Sequence, residues 1–133
     1  MYPKIIGSLA VGFFLFSCGN DFNKSKLELN NGKKWTINAE MMPPLSVSEK
    51  LLSEYAAGDK KDYKRLAAQL KESNQLLISS CTMKGKSHDE LHKWLYPYMA
   101  LVDELNDAEN ENEANQVFQK IKESFETFNQ YFQ

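Results

Sequence analysis

Residues 87–105 read SHDELHKWLYPYMALVDEL, with apolar side chains at Leu91, Leu95, Tyr98, Val102 and Leu105. Steps of three and four put these residues on one stripe of an α-helix, whereas a half-buried strand would show strict alternation. Ser87 followed by Glu90 has the form of a capping box, which sets the helix start. Pro97 lies inside the stripe and removes one backbone donor, so a kink is expected near Lys93 or Trp94.

The same stepping extends to both sides. Residues from about Asn112 onward carry Ala114, Phe118, Ile121, Phe125, Phe128 and Phe132 at helical spacing. Upstream, Tyr63, Leu66, Leu70 and Leu77 define a helix from about Asp59 to Cys81. Before it, Met41, Leu45, Leu52 and Tyr55 define another, with Pro43 and Pro44 in its first turn and Gly58 at its end. Four amphipathic helices on short loops predict an all-α domain, an antiparallel up-down four-helix bundle over residues 38–133. A short β-hairpin is expected over residues 26–37. Leu27 and Leu29 alternate with polar residues before Asn30-Asn31-Gly32, Trp35 and Ile37 alternate after it, and Asn-Gly supplies the positive backbone angles of a tight turn.

Composition fits one globular domain, at 42% hydrophobic and 26% charged residues in 133. The N-terminus reads as an export signal over residues 1–17: Lys4, an apolar run from Ile5 to Phe16, and small Ser17. The run has about 12 residues where a spanning helix needs roughly 20. Without it, 15 Lys and Arg stand against 18 Asp and Glu, a formal charge of −3, which excludes a nucleic-acid binder. The acidic residues lie among lysines at helical spacing, as on a solvated surface.

Leu15-Phe16-Ser17-Cys18 resembles the lipobox of bacterial lipoproteins, although Phe16 is bulkier than usual there. The resemblance implies diacylglyceryl transfer to the Cys18 thiol, cleavage before it, and acylation of the new amino group with a chain such as palmitate. Residues 18–25 then form the lipidated tether. Gly19 follows the cysteine where inner-membrane retention would want Asp, which implies the outer membrane, with the domain periplasmic or surface-exposed.

Lipidation of Cys18 leaves Cys81 as the one remaining thiol, with no intrachain partner. The up-down topology gathers the start of the first helix, the end of the second, the start of the third and the end of the fourth. At that end fall Met41, Met42, Cys81, Met83, His88 and His92. Cys81 follows Tyr63 by 18 residues, five whole turns, so its sulfur is expected on the apolar face of the second helix. His88 and His92 are one turn apart and can chelate through two imidazoles. Cys81 would add a thiolate and Met83, Met41 or Met42 a thioether. Mixed imidazole and soft sulfur ligands favour copper, and zinc if Asp89 or Glu90 replaces the thioether. The plain reading of the same residues is a buried thiol, surface histidines and gap-filling methionines.

The stretch from Cys81 to Leu95, with Asn31-Gly32-Lys33-Lys34-Trp35, resembles small helical lipoproteins of the Bacteroidota, a family that implies no particular activity. The layout is distantly similar to four-helix b-type cytochromes, which would match Met41 or Met42 to a haem ligand. Their second ligand, a histidine late in the fourth helix, is missing, since that helix ends in Tyr131-Phe132. No catalytic residues are expected. Cys81 and His88 lack an oxyanion donor or orienting group, and His88-Asp89-Glu90-Leu91-His92 departs from the zinc-protease motif, which needs Glu directly after its first His. The expectation is a membrane-anchored, non-enzymatic envelope lipoprotein that binds a transition metal. Its rival is a structural or protein-interaction lipoprotein without metal, and non-covalent haem is a lesser alternative.

Overall fold

The computed structural model describes residues 26–133 apart from Lys60. The signal segment, Cys18 and the tether over residues 18–25 lie outside the described residues. From Ala39 onward the chain is mostly helical: a 3-10 turn at Ala39–Met41, then α1 (Met42–Ala57), α2 (Tyr63–Ser80), α3 (Gly85–Asp107) and α4 (Glu111–Tyr131). Each helix packs on the next in sequence. Among the described residues no helix is long and apolar enough to cross a membrane.

Helix boundaries follow local chemistry. Pro43 and Pro44 occupy the first turn of α1, where a missing backbone donor costs nothing. Asp62 caps α2 through its carboxylate, which accepts the Arg65 N–H at 3.0 Å, so α2 starts four residues later than the pattern predicts. Gly85, with φ +70°, opens α3 two residues before Ser87. The expected capping box therefore does not form: Ser87 Oγ donates to the Lys84 carbonyl, and the Glu90 carboxylate is engaged elsewhere. A related cap does form on α4, where the Asn110 side chain accepts the Glu113 N–H and the Glu113 carboxylate reaches back past it to the Glu109 N–H. At the opposite termini lysines serve. Lys61 donates to the Tyr55 and Ala56 carbonyls of α1, and Lys64 to the Asn106 carbonyl in the last turn of α3 and the Ala108 carbonyl just after it. Helix α3 runs through Pro97 without interruption.

The stripes meet in one core. Met41, Leu70, Leu91, Tyr98, Val102, Leu105, Ile121 and Phe132 are its largest fully enclosed side chains. Trp94 is the centre of an aromatic cluster. It stacks on Tyr98 at 5.0 Å and meets Phe128 at 4.7 Å and Phe125 edge-on at 5.7 Å, while its indole N–H donates to the Ser124 carbonyl at 2.8 Å.

The expected hairpin is corrected. The tight turn exists, with Asn31 at φ 49° and Gly32 at φ 81° and reciprocal backbone bonds between Asn30 and Lys33. No ladder extends from it, and there is no strand among the described residues. The arm after the turn pairs instead with the far end of the chain. Trp35 N–H donates to Tyr131 O at 2.8 Å, Gln133 N–H to Trp35 O at 2.9 Å, and Ile37 N–H to Gln133 O at 3.0 Å. Once α4 fills that edge, the first arm is held by the Trp35 indole, which donates to the Glu28 carbonyl at 2.7 Å.

Candidate functional site

Side-chain contacts confirm that the predicted element ends meet. Asn38, just before α1, donates to the Ser80 carbonyl at the end of α2 and accepts the Thr82 N–H. Trp35, bridged to Phe132 at the end of α4, lies under the Lys86 ammonium from the start of α3, 6.0 Å from its ring centroid.

On α3 the residues His88, His92 and Tyr96 form a ladder at four-residue spacing. The two imidazole centroids are 4.0 Å apart and tilted by 55°, and Tyr96 meets His92 edge-on at 4.8 Å. Both histidines are half-buried, whereas Tyr96 is largely exposed. The pKa of His92 is lowered from the ordinary imidazole value. Burial disfavours its charged form and His88 repels it, against a smaller attraction from Asp89.

The sulfur residues are placed differently from expectation. Helix α2 ends at Ser80, so Cys81 sits on extended backbone beyond the helix and the five-turn argument does not orient it. Cys81 and Met83 are half-buried and packed against the core. Met41 is fully enclosed in that core, and neighbouring Met42 is 45% exposed. Among the described residues no three His, Cys, Asp or Glu side chains gather into a group that could hold a metal. Cys81 thus does not complete a three-ligand set with the imidazoles, nor does Asp89. What remains of the predicted set is the imidazole pair of His88 and His92, with ring centroids 4.0 Å apart.

Glu90 has another task. Its carboxylate is almost fully buried, accepting the Lys93 ammonium at 2.6 Å and the Glu28 backbone N–H at 3.0 Å. Burial raises its pKa, but those two hydrogen bonds with the charges of Lys93 and Lys86 outweigh it, and the net shift is downward. Glu90 pins the segment that leads to the N-terminus onto α3, helped by Lys93, which also donates to the Lys26 carbonyl.

A second polar group, absent from the sequence reading, lies inside the helices: Ser48, Ser73, Asn74 and Tyr98, all buried. Ser48 Oγ donates to Ser73 Oγ at 2.9 Å, and Ser73 Oγ donates to the Pro44 carbonyl at 2.7 Å. Tyr98 Oη and Asn74 Oδ1 have no hydrogen-bond partner. The signal for this group is positional, since Ser48 and Asn74 fall on the apolar stripes of their own helices. Burial pushes the Tyr98 pKa up to about 12, against weaker opposing pulls from Ser48 and Asn74. Because the folded value exceeds the ordinary one of 10, this contribution to stability is complete below pH 10 and is lost as pH rises toward 12. Tyr98→Phe is therefore expected to change stability at neutral pH by only about 1 kcal/mol, because Ser48 and Asn74 approach the hydroxyl without well-formed hydrogen bonds. It should also lessen the alkaline loss by on the order of 2 kcal/mol. Denaturant melts at neutral pH and above pH 10 check both; an unchanged alkaline loss would refute the assignment.

Between α1 and α4 runs a groove of about 350 Å³, floored by Leu52 and Phe125 and rimmed by Glu49, Lys122 and Glu126. The helices meet beside it through the Tyr55–Phe118 ring contact and an Asn129 to Glu49 hydrogen bond.

No known protein family, curated protein or solved structure matches this chain.

Proposed function

We propose that the chain is a non-catalytic envelope lipoprotein, held by acyl chains on Cys18, whose antiparallel up-down bundle binds a transition-metal ion through His88 and His92. The observation that carries the reading is the 4.0 Å spacing of two half-buried imidazoles one helical turn apart. With no third His, Cys, Asp or Glu gathered there among the described residues, the ligand set is nitrogen-rich. That suits Cu(II) or Zn(II) better than a closed thiolate site for Cu(I). The remaining positions are left to water or to a donor from a delivering or receiving molecule, as in open metal sites.

The test is thermal and calorimetric titration of the full chain with Cu(II) and Zn(II). At 100 times its Kd, an ion that binds only the folded chain stabilises it by about 2.7 kcal/mol. That gain should vanish in His92→Ala and in His88→Ala. It should also weaken as pH falls through the imidazole range, because protons compete for the same lone pairs. Equal metal-induced stabilisation of parent and variants would overturn the site.

A second reading rests on the groove between α1 and α4, which leaves apolar floor residues beneath a charged rim. In that reading the domain holds a protein partner at the membrane, and the titrations give no metal-dependent change.

A further inference from the structure

The molecule is electrically lopsided, and its lopsidedness has a direction. The segment over residues 26–35 lies against the start of α3 through the contacts of Lys26, Glu28 and Trp35 with Lys93, Glu90 and Lys86. This face presents the exposed lysines 26, 33, 34, 84 and 86, against exposed Glu28, Glu40 and Asp89. Lys93 and Glu90 neutralise each other. Leu29 is exposed beside the tight turn, so an apolar side chain stands among the lysines. At the other end, the last turns of α3, the link and the first turn of α4 carry exposed Asp103, Glu104, Asp107, Glu109, Glu111 and Glu113, against Lys71, which pairs with Asp103 at 2.9 Å, and Lys64, which caps the end of α3.

The chain outside the described residues says which end meets a membrane. Seven residues separate Cys18 from Lys26. At no more than about 3.6 Å each they reach roughly 25 Å. Helix α3, with 23 residues, is about 35 Å long at 1.5 Å per residue. The chain leaves the fold beside the second turn of α3, so the tether holds the lysine face near the lipid and leaves the acidic end farther out. Charges interact with a surface only within a Debye length of about 8–10 Å. The lysine face can come that close.

We propose that this face docks on an anionic phospholipid surface, with the lysines among the headgroup phosphates and Leu29 at the interface. The inference rests on the lipid-anchor reading for its geometry, while the charge pattern stands without it. In a lipid-anchored chain the docked pose puts the His88–His92 pair on the membrane-proximal half of α3.

The test uses the full chain with Cys18→Ser, mixed with vesicles of phosphatidylcholine alone or with about a third phosphatidylglycerol. The apolar run at residues 5–16 binds both, so the preference for the anionic vesicles isolates the electrostatic part. That preference is expected to fall with salt, and by roughly tenfold or more in the variant Lys33→Glu, Lys34→Glu, Lys84→Glu. The control Lys50→Glu, Lys120→Glu, Lys122→Glu makes the same change in net charge elsewhere and should retain most of the preference. Circular dichroism melting shows that both variants fold. Equal losses in the two variants, or no anionic preference in the parent, would overturn the docking face. Mass spectrometry of the chain with Cys18 intact, extracted from membranes, tests the anchor separately. An unacylated chain that still prefers anionic vesicles refutes the anchor and supports the face.

Discussion

Trp94→Ala is expected to cost about 3–5 kcal/mol of folding stability, the range for deleting a large buried aromatic side chain. Three terms combine. The indole is almost fully enclosed, so its removal leaves a cavity that the neighbouring helices cannot close without shifting. It touches Tyr98, Phe125 and Phe128 in stacked, edge-on and tilted geometry, and such pairs are worth about 0.5–1.5 kcal/mol each beyond area. Its N–H also satisfies the Ser124 carbonyl of α4, which would be left without that donor. Trp94→Phe keeps most of the volume and loses only the hydrogen bond and part of the stacking, so its loss should be clearly smaller. Denaturant unfolding of both variants measures the difference. A loss under about 1 kcal/mol for Trp94→Ala would contradict the packing described, since domains of this size have only about 5–15 kcal/mol in total.

Glu90→Ala is expected to lose about 2–3 kcal/mol, because hydrogen bonds to a charged group contribute about 1.5–3 kcal/mol. The loss has a location. The Glu28 amide gives up its partner, and Lys93, about a quarter exposed, turns to solvent, so the segment before Trp35 detaches from α3. Hydrogen exchange should quicken at the Glu28 amide while the aromatic cluster keeps its protection. The effect also depends on pH. The folded pKa of Glu90 is lowered, so its contribution is complete above the ordinary value of 4.5 and is lost as pH falls through the lower folded value. Parent and variant should therefore converge in stability under acid. A gap that persists unchanged at acid pH would show that the carboxylate charge is not the source.

The four helices are legible in the chain because each stripe is a local pattern, and every stripe residue of α3 and α4 is buried, although Trp94 and Val117 join the core from beside the stripes. What is not legible depends on contacts between distant residues. Ser87 and Glu90 match a capping box by spacing, yet the Glu28 amide, 62 residues from Glu90 in sequence, takes the carboxylate. Asn110 and Glu113 match the same spacing and do cap α4. Nothing within either four-residue window separates the two. The turn at Asn31-Gly32 follows from backbone angles, but the partner of Trp35 comes from the other end of the chain. At the candidate site, the histidine pair is readable from its spacing alone. The sulfur ligands are not, because one residue past the end of α2 is enough to detach Cys81 from the helical phase. The buried hydroxyls of Ser48 and Ser73 could be found as polar residues in stripe register, which raises the question of what they bond to.

The pairing of residues 35–37 with 131–133 also sets a path for mechanical load. A pull on the N-terminal segment reaches the Glu90 and Lys93 contacts first and then the three backbone bonds to the end of α4. Force on that segment would thus be taken up at one rim of the fold, with the helix seams and the Trp94 cluster behind it. Trp35, Ile37 and Phe132 are themselves buried, so parting these bonds uncovers that end of the core before the helices separate.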